Sequence, residues 1–439
     1  MTGTSGLLVF LAAIFFAILL GTKARCNLGV AGLSFAFLIG LILMGKTASE
    51  VVSYFPTSLF FTMMIVSFFY GYAAENQSLK VLSKWMIYVC RTKLHILPLF
   101  LYLVTFLISA TGAGAGATPV IMAPIAFSLA QQIGFSPVVA VLSVNLGALG
   151  GGIQAWTSSG AMFRGIAETY LGERVAEAAG WSYGLVLLFV PAVFFLLVYL
   201  WYQRDTQITD TELKRPESLN GEQKRALWII MAVMVLVIAP VFINVLFEIP
   251  AAKWFSAKFD IKVLCTFGIV FHSAMKNGNT QKVIREYIPW TTIIMVCGMS
   301  TMISMIVETG VADMMGSWLG KSLPAVLIIP LIILASGLLS FVTTGPAVIF
   351  PLFMPMFAVL SQSSGISMVA LTTALFAGAG STGMSPFSQG GAVALAGCRD
   401  EAVREKLWPR QVLYSLLFLG FYVLIGFTGL FRFAASLFE

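Results

Sequence analysis

The sequence predicts an all-α integral membrane protein made of two inverted repeats, each with five transmembrane helices and a re-entrant hairpin. Three observations carry this. Of the 439 residues, 59% are hydrophobic and 10% charged, and the mean hydropathy is +0.92, the composition of a chain solvated by lipid. Two long apolar runs are each interrupted by a stretch of small residues, and each is followed by a second interrupted run. The crossings in each half number five, and an odd count turns the second half over relative to the first.

Taken in order, the runs 5–21, 28–45 and 55–74 read as crossings. The first has no basic residue before it and no clear cleavage site after it, so it is expected to be a retained span rather than a secretory signal. Between 75 and 94, Leu79, Leu82, Met86 and Val89 recur among Lys80, Lys84 and Arg91. That pattern reads as a helix lying in the membrane interface, with an ordinary basic loop as the alternative.

The next apolar run holds Ile108-Ser-Ala-Thr-Gly-Ala-Gly-Ala-Gly-Ala-Thr-Pro-Val-Ile-Met-Ala-Pro124. Alternating glycines favour breaking a helix. Backbone that leaves helical form at membrane depth must be buried in protein or line a watery cavity. Arms 95–110 and 115–132 therefore read as a hairpin that enters the membrane and returns. The run 137–170 is broken by Gly147-Ala-Leu-Gly-Gly-Gly-Ile-Gln-Ala-Trp-Thr-Ser-Ser-Gly160, and 182–202 is the last crossing of the first repeat, 1–202.

Residues 203–225 are crowded with Asp, Glu, Lys and Arg and read as a cytoplasmic linker. The second repeat, 226–439, carries runs 227–247, 260–276 and 288–308, hairpin arms 323–341 and 345–362, a broken run 366–397, and 411–433. Its hairpin tip is Ser340-Phe-Val-Thr-Thr-Gly-Pro-Ala-Val-Ile-Phe-Pro351, and its broken run holds Ala377-Gly-Ala-Gly-Ser-Thr-Gly-Met-Ser-Pro-Phe-Ser-Gln-Gly390. Pro119 and Pro346, Gly151 and Gly378, and Ser158 and Ser385 all stand 227 apart (346 − 119 = 227). Paired broken segments in two halves point to the binding site of a secondary transporter.

Of the 26 Lys and Arg, 18 fall on the side holding Lys23, Lys80, Arg91, Arg204, Lys276 and Arg399, and 8 on the other. The first side is therefore expected in the cytoplasm, with both termini outside a bacterial inner membrane. The hairpins then enter from opposite faces and their tips meet near the midplane. The net charge of +7 comes from basic residues scattered in short loops, which does not point to nucleic acid. Five widely spaced cysteines (26, 90, 265, 297 and 398) show no metal-ligand or redox pairing. His95 and His272 have no partner in sequence that points to catalysis, and no nucleotide motif appears, so neither an enzyme nor a cofactor is expected.

The segment Lys46-Thr-Ala-Ser-Glu50-Val-Val-Ser-Tyr-Phe55-Pro56-Thr-Ser-Leu-Phe, with the first hairpin and Asn145 to Gly165, resembles the malonate/dicarboxylate carrier family. The resemblance is best over 46–165 and persists weakly through the second hairpin. It implies a branch of the ion transporter superfamily related to sodium–dicarboxylate symporters. It also implies elevator-type transport, in which hairpins and broken helices slide against a fixed scaffold, and small carboxylate substrates. Sodium–dicarboxylate carriers have Ser-Asn-Thr at both tips; counting back from the motif proline gives Gly114-Ala115-Gly116 and Phe341-Val342-Thr343 here, where only Thr343 matches.

A buried carboxylate needs hydrogen-bond donors and positive potential. The tips at Gly114, Ala115, Gly116 and Gly345 can offer helix N-terminal N–H groups. Ser109, Thr111, Thr118, Thr343 and Thr344 add hydroxyls, and Gln154, Thr157, Ser158, Ser159, Ser385, Ser388 and Gln389 add donors from the broken runs. The bland reading of any one such hydroxyl is helix–helix hydrogen bonding in lipid. Asn145, Gly150, Gly151, Gly152, Gly378, Gly380, Ser381 and Thr382 are expected around a coupling cation, sodium or proton. Arg164 reads as a counter-charge to the substrate or as a side chain snorkelling to the outer headgroups. Glu308 and Asp313 read as interfacial rather than proton-carrying. The partners expected are a small organic anion and membrane lipid, with a homodimer as candidate assembly; the alternative function is a cation or inorganic oxyanion antiporter on the same scaffold.

Overall fold

In this computed structural model the described residues are 9–439 apart from 10–11, 14, 18, 21–25, 90–95, 204–214, 248, 309, 342–344 and 399. Thr343 and Thr344, Cys90, His95, residues 204–214 of the linker and the side chain of Gln389 therefore lie outside what is described. Among the described residues every element is helical and there is no strand.

The first half runs α1 (Leu28–Leu38, extended by a π turn Ile39–Leu43), α2 (Ala48–Ser53), α3 (Thr57–Glu75), α4 (Ser78–Val89), α5 (Leu97–Ile108), α6 (Gly114–Ile133), α7 (Pro137–Gly152), α8 (Ser158–Leu171) and α9 (Glu173–Gln203). The second half runs α10 (Gly221–Phe247), α11 (Pro250–Lys258), α12 (Ile261–Ala274), α13 (Trp290–Val307), α14 (Val311–Ser322), α15 (Ala325–Ser340), α16 (Phe357–Ser364), α17 (Met368–Ser381), α18 (Gln389–Ala396), α19 (Glu401–Gly426) and α20 (Leu430–Ser436). Six described stretches are long and apolar enough to cross a membrane, and a pair bent by 52° before α13 would make a seventh. Several other expected crossings are built from shorter apolar helices, such as α7 and α12. Both expected broken runs are broken, at 153–157 and at 382–388.

Local chemistry explains the helix starts. Asn27, Ser136, Asp260 and Ser367 each accept a hydrogen bond from a first-turn N–H of α1, α7, α12 and α17. Thr47 and Glu50 form a capping box on α2. The polar stretch expected to reach residue 225 ends earlier, because Asn220 accepts from Gln223 N at 2.8 Å and Gln223 Oε1 accepts from Asn220 N at 3.1 Å. That reciprocal cap starts α10 inside the charged stretch. Elements α2, α11, α14 and α20 carry no apolar run that would announce them in the sequence.

In the packing, α1 lies on α13 and α3 on α12, while α5 and α6 clasp α7, and α15 and α19 clasp α17. Phe163, Phe350 and Phe376 meet at 4.7 to 5.0 Å between centroids and join α8, the second hairpin and α17 in one aromatic core. Beyond α13, Glu308 accepts from the Tyr54 hydroxyl and pairs with Lys46 at 2.9 Å. The Tyr54 hydroxyl, with Lys46 beside it, holds the Glu308 carboxyl below its ordinary range.

The two halves repeat one set of bonds. Ser109 Oγ donates to Ala148 O at 2.9 Å and Ser340 Oγ to Ala379 O at 2.8 Å, each bond spanning 39 residues. Thr157 caps Gly160 N and donates to Gly152 O and Gln154 O; Ser388 caps Gly391 N and donates to Gly383 O and Ser385 O. These pairs stand 231 apart (340 − 109 = 231), not the 227 taken from the prolines. The difference is about one helical turn, and a one-turn slip leaves side chains on the same helix face. The reason is visible at the tips: Gly114 and Gly345 each open the return arm, but Pro119 lies inside α6 while Pro346 directly follows Gly345.

Candidate substrate site

The first tip is a π turn, Ser109–Ala113, closed by Gly112 at φ 110° and Gly114 at φ 73°. A Cβ on Gly112 would stand 1.7 Å from Tyr70 Cδ1, so the turn is both left-handed and pressed against α3. Behind the tip, a Cβ on Gly152 would meet Ala115 N at 2.2 Å. That close approach seats the start of α6 on the end of α7.

A cavity of about 580 Å³ opens between the tips, the breaks and the starts of α1 and α13. Of the residues expected around the substrate, Ala115, Gly116, Ser159, Gly345 and Ser388 line it; of those expected around a cation, Asn145 and Gly380 do. Gly114 and Ser158 line a second cavity of about 510 Å³ together with Tyr70 and Glu286. Gly116, Ser159 and Met162 border both cavities, so the first tip is a thin partition.

Other expected residues are near but turned away from the larger cavity. Thr111 donates to Ile108 O and Thr118 to Gly114 O. Gln154 Nε2 donates to Gly150 O at 2.7 Å and Gly184 O at 3.2 Å. Ser381 donates to Gly378 O and Thr382 to Gly337 O, and Ser385 accepts from Phe387 N. Ser109 and Thr382 thus bond a neighbouring helix, the bland reading set out for them, while Thr111, Thr118, Thr157 and Ser381 bond backbone carbonyls within five residues of themselves. Among the glycines expected to offer carbonyls to a cation, Gly150, Gly152 and Gly378 already accept side-chain bonds, and a Cβ on Gly151 would strike Phe106 O at 2.0 Å. Arg164 is outside both cavities. It packs on Gly180 and lines a small pocket with Glu168, Glu173 and Glu177, with its Nε buried and without a partner among the described residues.

Sequence reasoning missed Asn27, Met162, Phe163, Thr291, Met295 and Phe387 in the wall. Met162 and Phe163 lie one turn after Ser159 on the same face of α8, and that spacing was the available signal. Asn27, Thr291 and Met295 arrive through the packing of α1 on α13, which no local pattern announces.

Among the described residues no Lys, Arg, His, Asp or Glu lines the larger cavity. Helix starts line it instead: Ala115 and Gly116 in α6, Ser159 in α8, Gly390 in α18 and Gly345 in the second return arm. First-turn N–H groups have no partner within their own helix, and the macrodipole adds partial positive charge there. Asn145 is 5% exposed, and its Nδ2 has no partner among the described residues.

Cys26 lies in the cavity wall and is half-buried, whereas Cys265, Cys297 and Cys398 are buried. In a variant keeping Cys26 as its only cysteine, a transported anion is expected to slow maleimide labelling several-fold. Labelling at the same rate with and without every transported anion would remove Cys26 from the path.

Residues 5–152 match the family described as "Dicarboxylate carrier protein MatC N-terminus". No curated protein matches the chain by sequence. Among solved structures, the YdaH transporter of Alcanivorax borkumensis, described as having an unusual topology, is similar at a TM-score of 0.59 and 16% identity, covering 97% of each chain. That likeness gives the fold. The resemblance read from residues 46–165 is thus borne out over the matched residues: this is a multi-pass membrane protein whose residues 5–152 match the N-terminal model of the dicarboxylate carrier family, and whose fold is similar to that of the solved YdaH structure.

Proposed function

We propose that the protein is a secondary active transporter of small organic anions, working by elevator-type alternating access and coupled to a cation. The observation that carries this is the meeting of helix starts from both hairpins and both breaks around one cavity with no charged side chain among the described residues. Such a site holds a carboxylate through backbone donors and helix dipoles. Among the described residues no carboxylate lines the wall, which disfavours the cation antiporter.

The bonds repeated at 231 support two repeats, and the odd number of crossings in each makes them inverted, as in the ion transporter superfamily. The hairpins and broken helices form the moving unit, and α1, α3, α10, α12 and α13 the scaffold. With the Lys/Arg-rich side in the cytoplasm, the cavity edge at Asn27 and Thr291 faces inward. On the outer side Glu168 of the moving unit meets two scaffold groups, Ser58 Oγ at 3.1 Å and Lys262 Nζ at 3.8 Å, the arrangement of an inward-open state.

Malonate and succinate are the first substrates to test. Coupling is to sodium or to protons; among the described residues the wall holds no carboxylate to carry a proton, which favours sodium, with Asn145 and Gly380 as its candidate ligands. Proteoliposomes containing the purified protein are expected to accumulate labelled malonate, succinate or citrate against a gradient. Collapsing the sodium gradient should stop it, and collapsing the proton gradient alone should not. Accumulation that survives loss of both gradients would refute cation coupling, and uptake of no organic anion would refute the carrier itself.

A further inference from the structure

We infer that α4 and residues 215–217 of the linker form a docking surface for anionic phospholipid headgroups. The surface lies outside the cavity, and its argument does not depend on what is carried. Leu79, Ser83 and Ile87 recur every four residues and are 4% exposed or less. That stripe seats α4 against α3, α5 and α10. Lys80 and Lys84, also four apart, are exposed along one flank of the stripe. Trp85 and Tyr88 come next around the helix, packed edge to face at 5.9 Å between centroids. The linker completes the surface: Glu217 O accepts from Trp85 Nε1 at 2.7 Å, and the Arg215 guanidinium lies 5.6 Å from the Trp85 ring centre. Three cations against the one acid, Glu217, leave a charge of +2 (3 − 1 = 2) beside an aromatic pair. Trp and Tyr are the side chains that settle at headgroup depth.

The second half supplies the comparison. α14 sits between α13 and α15 as α4 sits between α3 and α5, and both are 12 residues long. Each starts directly after a left-handed residue, Gln77 at φ 59° and Gly310 at φ 78°. Yet α14 carries Asp313 with Lys321, whereas α4 carries two lysines and no acid. The two helices share a place and a length and differ in charge, and the charge of α4 is the sign that attracts an anionic leaflet.

The test is native mass spectrometry of the full chain released from micelles containing equal amounts of phosphatidylglycerol and phosphatidylcholine. The parent should retain phosphatidylglycerol in clear excess. Each basic side chain near an anionic surface contributes about fivefold, from ~1 kcal/mol. Lys84→Gln should therefore cut the excess about fivefold, and Lys80→Gln, Lys84→Gln and Arg215→Gln together should abolish it. All three side chains are exposed, so the variants are expected to fold, which their size-exclusion profile checks. Lys321→Gln on α14 should leave the excess unchanged. A parent without a preference, or a triple variant that keeps it, would overturn the inference. Displacement of the lipid by excess inorganic phosphate would also overturn it, by making the patch a site for free anions. Uptake plays no part in this measurement, so the carrier reading stands or falls separately.

Discussion

Gly116→Leu is expected to abolish uptake while leaving the protein folded in the membrane. A Cβ at Gly116 would meet nothing within 4 Å, and the residue is not among those at positive φ, so the new side chain has room. Leucine also favours a helix by up to about 1 kcal/mol over glycine. The side chain occupies the border of both cavities, where on the proposed function the N–H groups opening α6 would meet the anion. Losing hydrogen bonds to a charged ligand costs about 1.5–3 kcal/mol each, or roughly ten- to hundredfold in affinity. Gly112→Leu gives the contrasting outcome. There φ is 110° and Tyr70 fills the space, so folding itself should fail. Measuring surface expression, size-exclusion profile and concentration-dependent uptake separates the two. Parental transport by Gly116→Leu at equal expression would remove the tip from the site.

How far the site could be read from the sequence depended on where its information lay. The tips and breaks were legible because glycine, serine and threonine clustered inside an apolar run weaken a helix that lipid would otherwise enforce. The wall positions Gly116, Ser159, Gly345 and Ser388 followed from that pattern. The register between halves was read one turn out, since Pro119 and Pro346 sit at different depths in their arms while a one-turn slip preserves the helix face. Which hydroxyls face the cavity was not legible. Ser109, Thr118 and Thr157 point to nearby carbonyls instead, because a hydroxyl away from water takes the nearest acceptor. Arg164 illustrates the same gap: its distance from Ser159 along the chain was read correctly, but its direction, toward Gly180 and the acidic residues of α9, is set by tertiary packing. The short helices α11, α14 and α20 lack an apolar run long enough to stand out.

The other large effect is expected at the edge of the cavity, where α1 of the first half meets α13 of the second. A Cβ on Gly298 would stand 2.1 Å from Gly29 O, one on Gly29 would stand 2.0 Å from Ile294 O, and one on Gly32 would stand 3.0 Å from Gly298 O. These helices touch backbone to backbone, the close approach that small residues permit where lipid supplies no hydrophobic drive for association. Asn27 Nδ2 adds a bond to Thr291 O at 3.1 Å at the end of the same seam. Overpacking a core usually costs about 1–3 kcal/mol because side chains can shift. At Gly298 the obstacle is a carbonyl of the facing helix, so relief requires the whole of α1 to move away. Gly298→Leu should therefore yield little monodisperse protein, and what survives should melt well below the parent. Gly298→Ala should be milder but still destabilised, since even one methyl meets the Gly29 carbonyl. Both outcomes can be read from thermal unfolding monitored by size exclusion in detergent. A Gly298→Leu protein that elutes, melts and transports like the parent would mean that α1 and α13 are not held at this distance, and that the seam does not fix the mouth of the cavity.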